Sequence, residues 1–300
     1  MRILITGATG LIGTEIVNIC KQQNIAVNYL TTRKSKIENT NSFKGFYWNP
    51  SKNEIDINCF NGVNAIIHLA GATIAKRWTD RYKKEIISSR VDSTTLLISS
   101  LNKIEHHITQ VVAGSAIGIY PDHLKTNYTE AFNGENNSFL GEVVNVWEAA
   151  IDGFKDQNIR VSKIRTGLVL SAKGGAMAQM VKPIKFGLGA AFGSGKQWQS
   201  WIHVNDLAAL FVFTLNNNLE GTYNGVAPNP VTNNALTKAI AKTLCKPLFL
   251  PNIPKFVMQF VLGQMHKLLF ESQQVSSKKI EAAGFTFSYP FLDKALEDLL

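Results

Sequence analysis

Residues 1–13 read MRILITGATGLIG, with Gly7, Gly10 and Gly13 following directly on an apolar run. Ile3, Leu4 and Ile5 have no turn residue before them, which predicts a short buried strand from Arg2 to Thr6. From Leu11 onward, Leu11, Ile12, Ile16, Val17, Ile19 and Cys20 recur at helical spacing, so the glycines occupy a strand-to-helix turn. Free N–H groups and the positive end of the helix dipole attract an anion there, and glycine lets a pyrophosphate approach the backbone. In this reading Gly7 takes a positive φ, Gly10 leaves space for phosphates and Gly13 lets the helix pack closely on the strand. The spacing G-x-x-G-x-x-G departs from the usual G-x-G-x-x-G. Its place between a strand and an amphipathic helix nevertheless meets the context that the dinucleotide fingerprint demands.

Further strand candidates run from Ile25 to Leu30, Gly45 to Trp48, Asn64 to Leu69, Ile108 to Ala113 and Arg160 to Ile164, with helical patterns from Thr79 to Leu101 and Phe139 to Asp156. This alternation predicts an α/β fold: a Rossmann-type, doubly wound parallel sheet with helices on both faces, over residues 1–170. Beyond that the regularity breaks. Residues 171–300 read as a smaller, mainly helical substrate lobe, with part of 200–230 returning to the sheet domain. Its helices are expected from Asn205 to Leu215, Asn233 to Leu244, Pro254 to Phe270 and Ser276 to Ala283. The stretch IPKFVMQFVLGQMHKLLF is amphipathic, a face suited to a partner or a membrane surface, and is expected, as is commoner for such a stripe, to pack on its own domain.

The end of the second strand selects the cofactor. An acidic side chain there binds the ribose hydroxyls of NAD, whereas arginine accommodates the 2′-phosphate of NADP. Here the chain reads NYLTTRKSK, with no Asp or Glu between Val27 and Ile37. Arg33 can fork onto a phosphate with Thr32 donating beside it, which points to NADP(H).

Composition bounds the remaining choices. Three hundred residues, 45% hydrophobic, suit a globular enzyme with a large nucleotide-binding domain. No apolar run reaches the roughly 18 residues of a membrane span, and no leader pattern precedes the first strand, so a cytoplasmic location without membrane contact is expected. Cys20, Cys59 and Cys245 are odd in number and far apart, and read as buried thiols; the histidines lack ligand spacing, so no metal is expected. The net charge of +9 is scattered rather than blocked, which argues for an anionic small-molecule substrate over nucleic acid. Oligomeric state stays open, a homodimer being one option.

TGATGLIG, the TTR after the second strand and HLAG at His68 to Gly71 resemble the extended short-chain dehydrogenase/reductase superfamily. The strings RWTDRYKKEIISSRVDSTTLL, RTGLVLSAKGGA, GLGAAFGSGKQWQSWIHVNDLA and NGVAP are similar to its atypical sugar-nucleotide epimerase-like branch. The ending from residue 248 to 296 resembles the uncharacterised C-terminal domain of that branch. The resemblance implies cofactor contacts at Gly7, Gly10, Leu11, Ile12, Gly13, Thr32, Arg33, Leu69 and Ala70, with Glu85, Arg90 and Val169 matching further contacts. Arg90 stands where ordinary members carry an active-centre Asn; a plain surface-helix arginine fits the position equally well.

Short-chain reductases move a proton with a Tyr whose pKa is lowered by a Lys four residues on, aided by a Ser on the fifth strand. Ser115 in VVAGSAIGIY fits that Ser. Aligning Trp147-Glu148 with the end of Y-x-x-x-K-x-x-x-E leaves Leu140 and Val144 at the Tyr and Lys positions. Tyr120 is the candidate substitute acid/base, with Glu142 the weaker one. Lys196, Trp201 and His203 fall where extended members bind the far end of the substrate, although Trp201 fits the core equally well. Asp206 reads as a helix N-terminal residue. The expected function is an NADP(H)-dependent oxidoreductase or epimerase on a small polar, phosphorylated or sugar-nucleotide substrate. The alternative is a non-catalytic NADP(H)-binding redox sensor or scaffold.

Overall fold

A computed structural model describes all 300 residues. Strand β1 (Arg2–Thr6) enters the glycine turn and continues as α1 (Leu11–Gln22). Strands β2 (Ala26–Thr31), β3 (Phe43–Asn49), β4 (Glu54–Ile55) and β5 (Ala65–His68) lead to α2 (Asp80–Leu101). Then come β6 (Gln110–Ala116), α3 (Phe139–Asp152) and β7 (Arg160–Thr166). After α4 (Gly175–Lys185), helix α5 (Val204–Asn216) and β8 (Gly221–Gly225) return to the sheet.

The sheet order is β8-β7-β6-β5-β1-β2-β3-β4, parallel throughout except for the short β3–β4 pair. Connections run outward in opposite directions from β1. A crevice therefore opens beside the carboxyl end of β1, the switch point at which doubly wound sheets take their ligands.

Side chains alternate along a strand, and β1 uses both faces. Ile3 and Ile5 pack with Ile16 and Val17 of α1 and Leu207 and Phe211 of α5. Leu4 packs on the other side with Leu96 and Leu97 of α2 and Ile151 of α3. A third core, including Met177, Ile184, Trp201 and Ile240, joins α4 to α6 (Asn233–Thr243) and to a short parallel pair, Leu168–Leu170 with Trp201–His203.

Several expectations change. The single helix from Pro254 to Phe270 is broken: α7 (Lys255–Leu262) stops at Gly263, whose φ of +58° paired with a ψ of −140° only glycine adopts without strain. None of α7's residues is fully buried: Val257, Met258 and Leu262 are half-buried while Phe256 and Phe260 are exposed, so its apolar stripe packs on its own domain only in part. Cys245 is exposed, with a positive φ of 52°, instead of buried. Strand β8 and the last helix, α8 (Leu292–Leu299), add to the expected elements. No helix is long and apolar enough to cross a membrane.

Candidate functional site

The glycine turn is shaped by backbone contacts that leave no room for side chains. Gly7 has φ +73° and accepts a hydrogen bond from Gly10 N at 2.9 Å. A Cβ on Gly13 would lie 2.2 Å from Gly7 O and 2.7 Å from Ala8 Cα, so helix and turn touch through main chain alone. Gly10 is the N-cap of α1 and contributes no side-chain cap. The N–H groups of Leu11, Ile12 and Gly13 thus stand at the amino end of α1, where a helix has no carbonyl to offer them. The start of α4 overhangs this cradle: a Cβ on Gly175 would meet Leu11 Cδ2 at 3.3 Å, and Lys173 pairs with Glu15 at 2.7 Å.

The floor of the cradle is tied to α2 by a directional chain of hydrogen bonds. Thr6 Oγ1 accepts from the N–H of Leu69 and of Ala70, each at 3.0 Å, so its own proton goes to His68 Nδ1 at 2.8 Å. That pattern assigns His68 as the Nε2–H tautomer, donating at 3.1 Å to Thr94 Oγ1, which donates to Arg90 O at 2.7 Å. Burial pushes the His68 pKa down to about 4, keeping the ring neutral. Leu69 and Ala70 are thereby fixed beside Gly7, whose Cβ position lies 3.2 Å from Leu69 Cβ.

Arg33 and Thr32 are exposed just beyond β2, and the Arg33 guanidinium makes no ion pair or hydrogen bond with the protein. Arg90 is only half-exposed. Its Nη1 donates to Ala72 O and Ile86 O at 3.1 and 2.9 Å, and its guanidinium stacks on Trp147 at 4.8 Å. Its Nε is buried without a partner, and burial lowers its pKa to about 10. Arg90 therefore braces the loop after β5. Glu85 is exposed on the same helix, and Val169 is half-buried on the strand after β7.

At the carboxyl end of β6 lies a buried polar network. Ser115 is 3% exposed and donates to Glu148 Oε1 at 2.6 Å. Arg165 holds Glu148 with two N–H groups, at 2.8 and 2.9 Å, and donates to Tyr120 Oη at 3.1 Å. Tyr120 is 0% exposed and donates to Asn224 Oδ1 at 2.8 Å. Hydrogen bonds from Arg165 and Ser115, with the nearby Lys163, outweigh desolvation and hold the Glu148 carboxyl below the usual range; the Tyr120 phenol is pushed up, chiefly by burial. Leu140 and Val144 pack against Gly118 on the facing side of α3. Glu142 is exposed in the first turn of α3.

This geometry corrects three expectations. Tyr120, enclosed and bonded on both sides of its oxygen, has no open surface from which to exchange a proton with a substrate. Trp201 is 0% exposed and donates to Asn229 O at 2.9 Å, so it is core. His203 caps α5 through Nδ1, reaches Asp298 through Nε2 at 3.2 Å and stacks on Tyr289, with no accessible surface. Lys196 alone of that trio is exposed. Asp206 does more than face a helix dipole: it accepts the N–H groups of Ser288 and Tyr289, both at 2.9 Å, and pins the C-terminal segment to α5. The Glu148–Arg165 pair was missing from the candidates, although Glu148 stood out as the closing acid of the aligned pattern and Arg165 opens RTGLVLS.

The NAD dependent epimerase/dehydratase family matches residues 3–225, and a domain of unknown function (DUF1731) matches residues 253–299. The chain is 37% identical over 300 residues to the epimerase family protein SERP0438 of Staphylococcus epidermidis, covering all of this chain and 99% of that one. Among solved structures, human epimerase family protein SDR39U1 (isoform2) with NADPH superposes with a TM-score of 0.85 at 30% identity, covering 100% and 99% of the two chains. The nucleoside-diphosphate sugar epimerase of Corynebacterium glutamicum superposes with a TM-score of 0.80 at 27% identity, over 100% of this chain and 58% of that one.

Proposed function

The chain belongs to the NAD-dependent epimerase/dehydratase family, and from that premise we propose that it binds NADP(H) on the Gly7–Gly13 turn and acts as an oxidoreductase or epimerase on a small polar, phosphorylated or nucleotide-linked substrate. The observation that carries this reading is the uncapped amino end of α1, cradled by main chain where a Cβ would collide. A dinucleotide's pyrophosphate fits such a cradle, since it brings negative charge to unpaired N–H groups. The NADPH bound to the human relative lends weight to the choice of cofactor. Bound there, the cofactor would supply reversible hydride transfer at its nicotinamide.

The chain's own residues then divide the work. Gly10, Leu11, Ile12 and Gly13 would receive the pyrophosphate, and Arg33 with Thr32 would receive the 2′-phosphate, an interaction for which the unpaired guanidinium is free. Leu69 and Ala70 would line the cofactor beside Gly7, and Glu85, Arg90 and Val169 are the further contacts that the family resemblance implies. Ser115 would orient the reacting oxygen of the substrate, which requires its hydroxyl to turn away from Glu148. Lys196 attracts the anionic end of the substrate.

One observation favours a second reading. Ser115 and Tyr120 both spend their hydroxyl protons inside the protein, on Glu148 and Asn224. With Leu140 and Val144 on α3, this suits a protein that binds NADP(H) without turnover, as a redox sensor or scaffold. Calorimetric titration with NADPH and NADH, alongside NADPH consumption across a panel of carbonyls and sugar nucleotides, tests both. Tight NADPH binding with consumption supports the first reading and tight binding without consumption the second, while no heat with either coenzyme overturns both.

A further inference from the structure

The apolar stripe of α7 is only partly covered: Val257, Met258 and Leu262 are half-buried, while its phenylalanines stand out from the surface. Phe256 is 72% and Phe260 88% exposed, and Phe249, in the segment leading into α7, is 80% exposed. A neighbouring stretch adds Phe186, 74% exposed, and Leu188. The two stretches run side by side: Gly189 lies against Leu248, and Ala191 and Gly193 are hydrogen-bonded to Ile253. Single exposed apolar side chains are ordinary on a protein surface, but several phenylalanines on adjoining segments mark an interaction site.

The charge of this lobe says what kind of site. From Lys173 to Lys267 there are nine lysines and only two acids, Asp206 and Glu220, the further acids of the lobe following from Glu271 onward, with Glu271 itself close to Lys255 and Lys267. Asp206 is buried on the backbone of Ser288 and Tyr289. Lys182 and Lys185 end α4 just before Phe186, Lys246 precedes Phe249, and Lys255 begins α7. All four are exposed, and none pairs with a carboxylate.

We propose that this face docks peripherally on an anionic lipid surface. Helix α7 lies in the headgroup plane with Phe249, Phe256 and Phe260 inserted, and the flanking lysines sit over lipid phosphates. Aromatic side chains on one side of a short helix with lysines at its rim are the features by which interfacial helices bind, and each lysine near an anionic leaflet adds to the attraction. A second copy of the chain is the poorer occupant. Twofold pairing through this face would bring the same unpaired lysines against one another, and like charges across an interface oppose association.

The test is sedimentation of the full chain with vesicles of equal parts phosphatidylglycerol and phosphatidylcholine, compared with phosphatidylcholine alone. The chain is expected to pellet with the anionic vesicles and to stay in the supernatant with neutral ones. F256E/F260E should lower the partition by about tenfold or more, and K182E/K185E should lower it in the same direction. Both alter exposed side chains, so an unchanged melting temperature and unchanged NADPH affinity establish that the variants are folded. The proposal is overturned if the chain ignores anionic vesicles, if it binds neutral vesicles equally well, or if folded F256E/F260E partitions like the parent. It is likewise overturned if the face proves to hold a lipid-independent dimer that F256E/F260E dissociates.

Discussion

Ser115 Oγ lies 2.6 Å from Glu148 Oε1, and the same carboxylate is gripped by two N–H groups of Arg165. Both charged residues are buried, so each depends on the other for solvation. Removing one partner of a buried pair costs about 3–5 kcal/mol because the remaining charge is stranded. Glu148→Ala is therefore expected to lower the free energy of unfolding in urea by about 3 kcal/mol or more. The double variant E148A/R165A should lose clearly less than the sum of the two singles; additivity would remove the pair from the stability of the contact between α3 and β7. The depressed Glu148 pKa gives the pH sign. Its contribution is complete above the ordinary glutamate range and is lost as pH falls through the depressed folded value, so Glu148→Gln should flatten the acid limb of the stability profile.

Ser115→Ala should leave NADPH affinity unchanged and abolish turnover of any carbonyl substrate that the chain accepts, since the pyrophosphate cradle follows β1, separated from β6 by β5 in the sheet. Dissociation constants and steady-state rates separate the two effects. Retained turnover would take Ser115 out of the chemistry.

His68 supplies a pH dependence of its own. Its pKa is about 4 in the folded protein against 6.5 unfolded, so unfolding takes up a proton between those values and stability falls as pH drops from about 6.5 to 4. The slope contributed is about 1.4 kcal/mol per pH unit, or about 3 kcal/mol over the window. Glu271, pushed up to about 7 by burial, acts in the opposite sense, so the informative quantity is the difference between parent and variant. His68→Gln should remove one proton's worth of slope between pH 4 and 6.5. Equal slopes would mean that the imidazole is protonated in its chain with Thr6 and Thr94.

How far the sequence was legible follows from how local each signal is. The strand, turn and helix over residues 2–22 could be read because each piece is written in adjacent residues: Ile3 to Ile5, the three glycines, then Ile16 and Val17 at helical spacing. Thr79 likewise announced α2, and it caps the helix by accepting from Tyr82 N. Strand β8 was not legible, because Gly-Thr-Tyr-Asn-Gly has no aliphatic run. It is a strand because β7 pairs with it and Asn224 binds Tyr120. The enclosure of Tyr120, Trp201 and His203 was equally hidden: each partner, Asn224, Asn229 or Asp298, comes from a distant part of the chain. The exposure of α7 escaped for the converse reason, since an amphipathic stripe records that a face is apolar and not what covers it.

Two glycines of the turn are expected to fail differently. On Gly13 a Cβ would meet main-chain atoms at 2.2 and 2.7 Å, which cannot yield unless α1 lifts off the turn. Gly13→Ala should cost about 2–3 kcal/mol in unfolding free energy and also abolish NADPH binding. On Gly10 the nearest atom is Gly7 O at 3.2 Å and φ is −85°, so an alanine fits with a small adjustment. Gly10→Ala should change stability by less than about 1 kcal/mol yet weaken NADPH about tenfold or more, its methyl standing where the pyrophosphate approaches. If Gly10→Ala binds NADPH normally, the dinucleotide does not lie on this turn.

Arg33 tests the identity of the coenzyme. Its guanidinium is exposed and unpaired at the end of β2, and no acid stands between Val27 and Ile37 to hold a free ribose. Hydrogen bonds to a charged group contribute about 1.5–3 kcal/mol, a factor of about 10 to 150 in affinity. Arg33→Asp removes that gain for NADPH, repels the 2′-phosphate and offers NADH a carboxylate for its ribose hydroxyls. NADPH should weaken by about a hundredfold or more and NADH should tighten, reversing the order of the two dissociation constants. The side chain lies outside every core, so the melting temperature should not move. An unaltered preference for NADPH would place the 2′-phosphate elsewhere, with Lys34 and Lys36 the next cations along the chain.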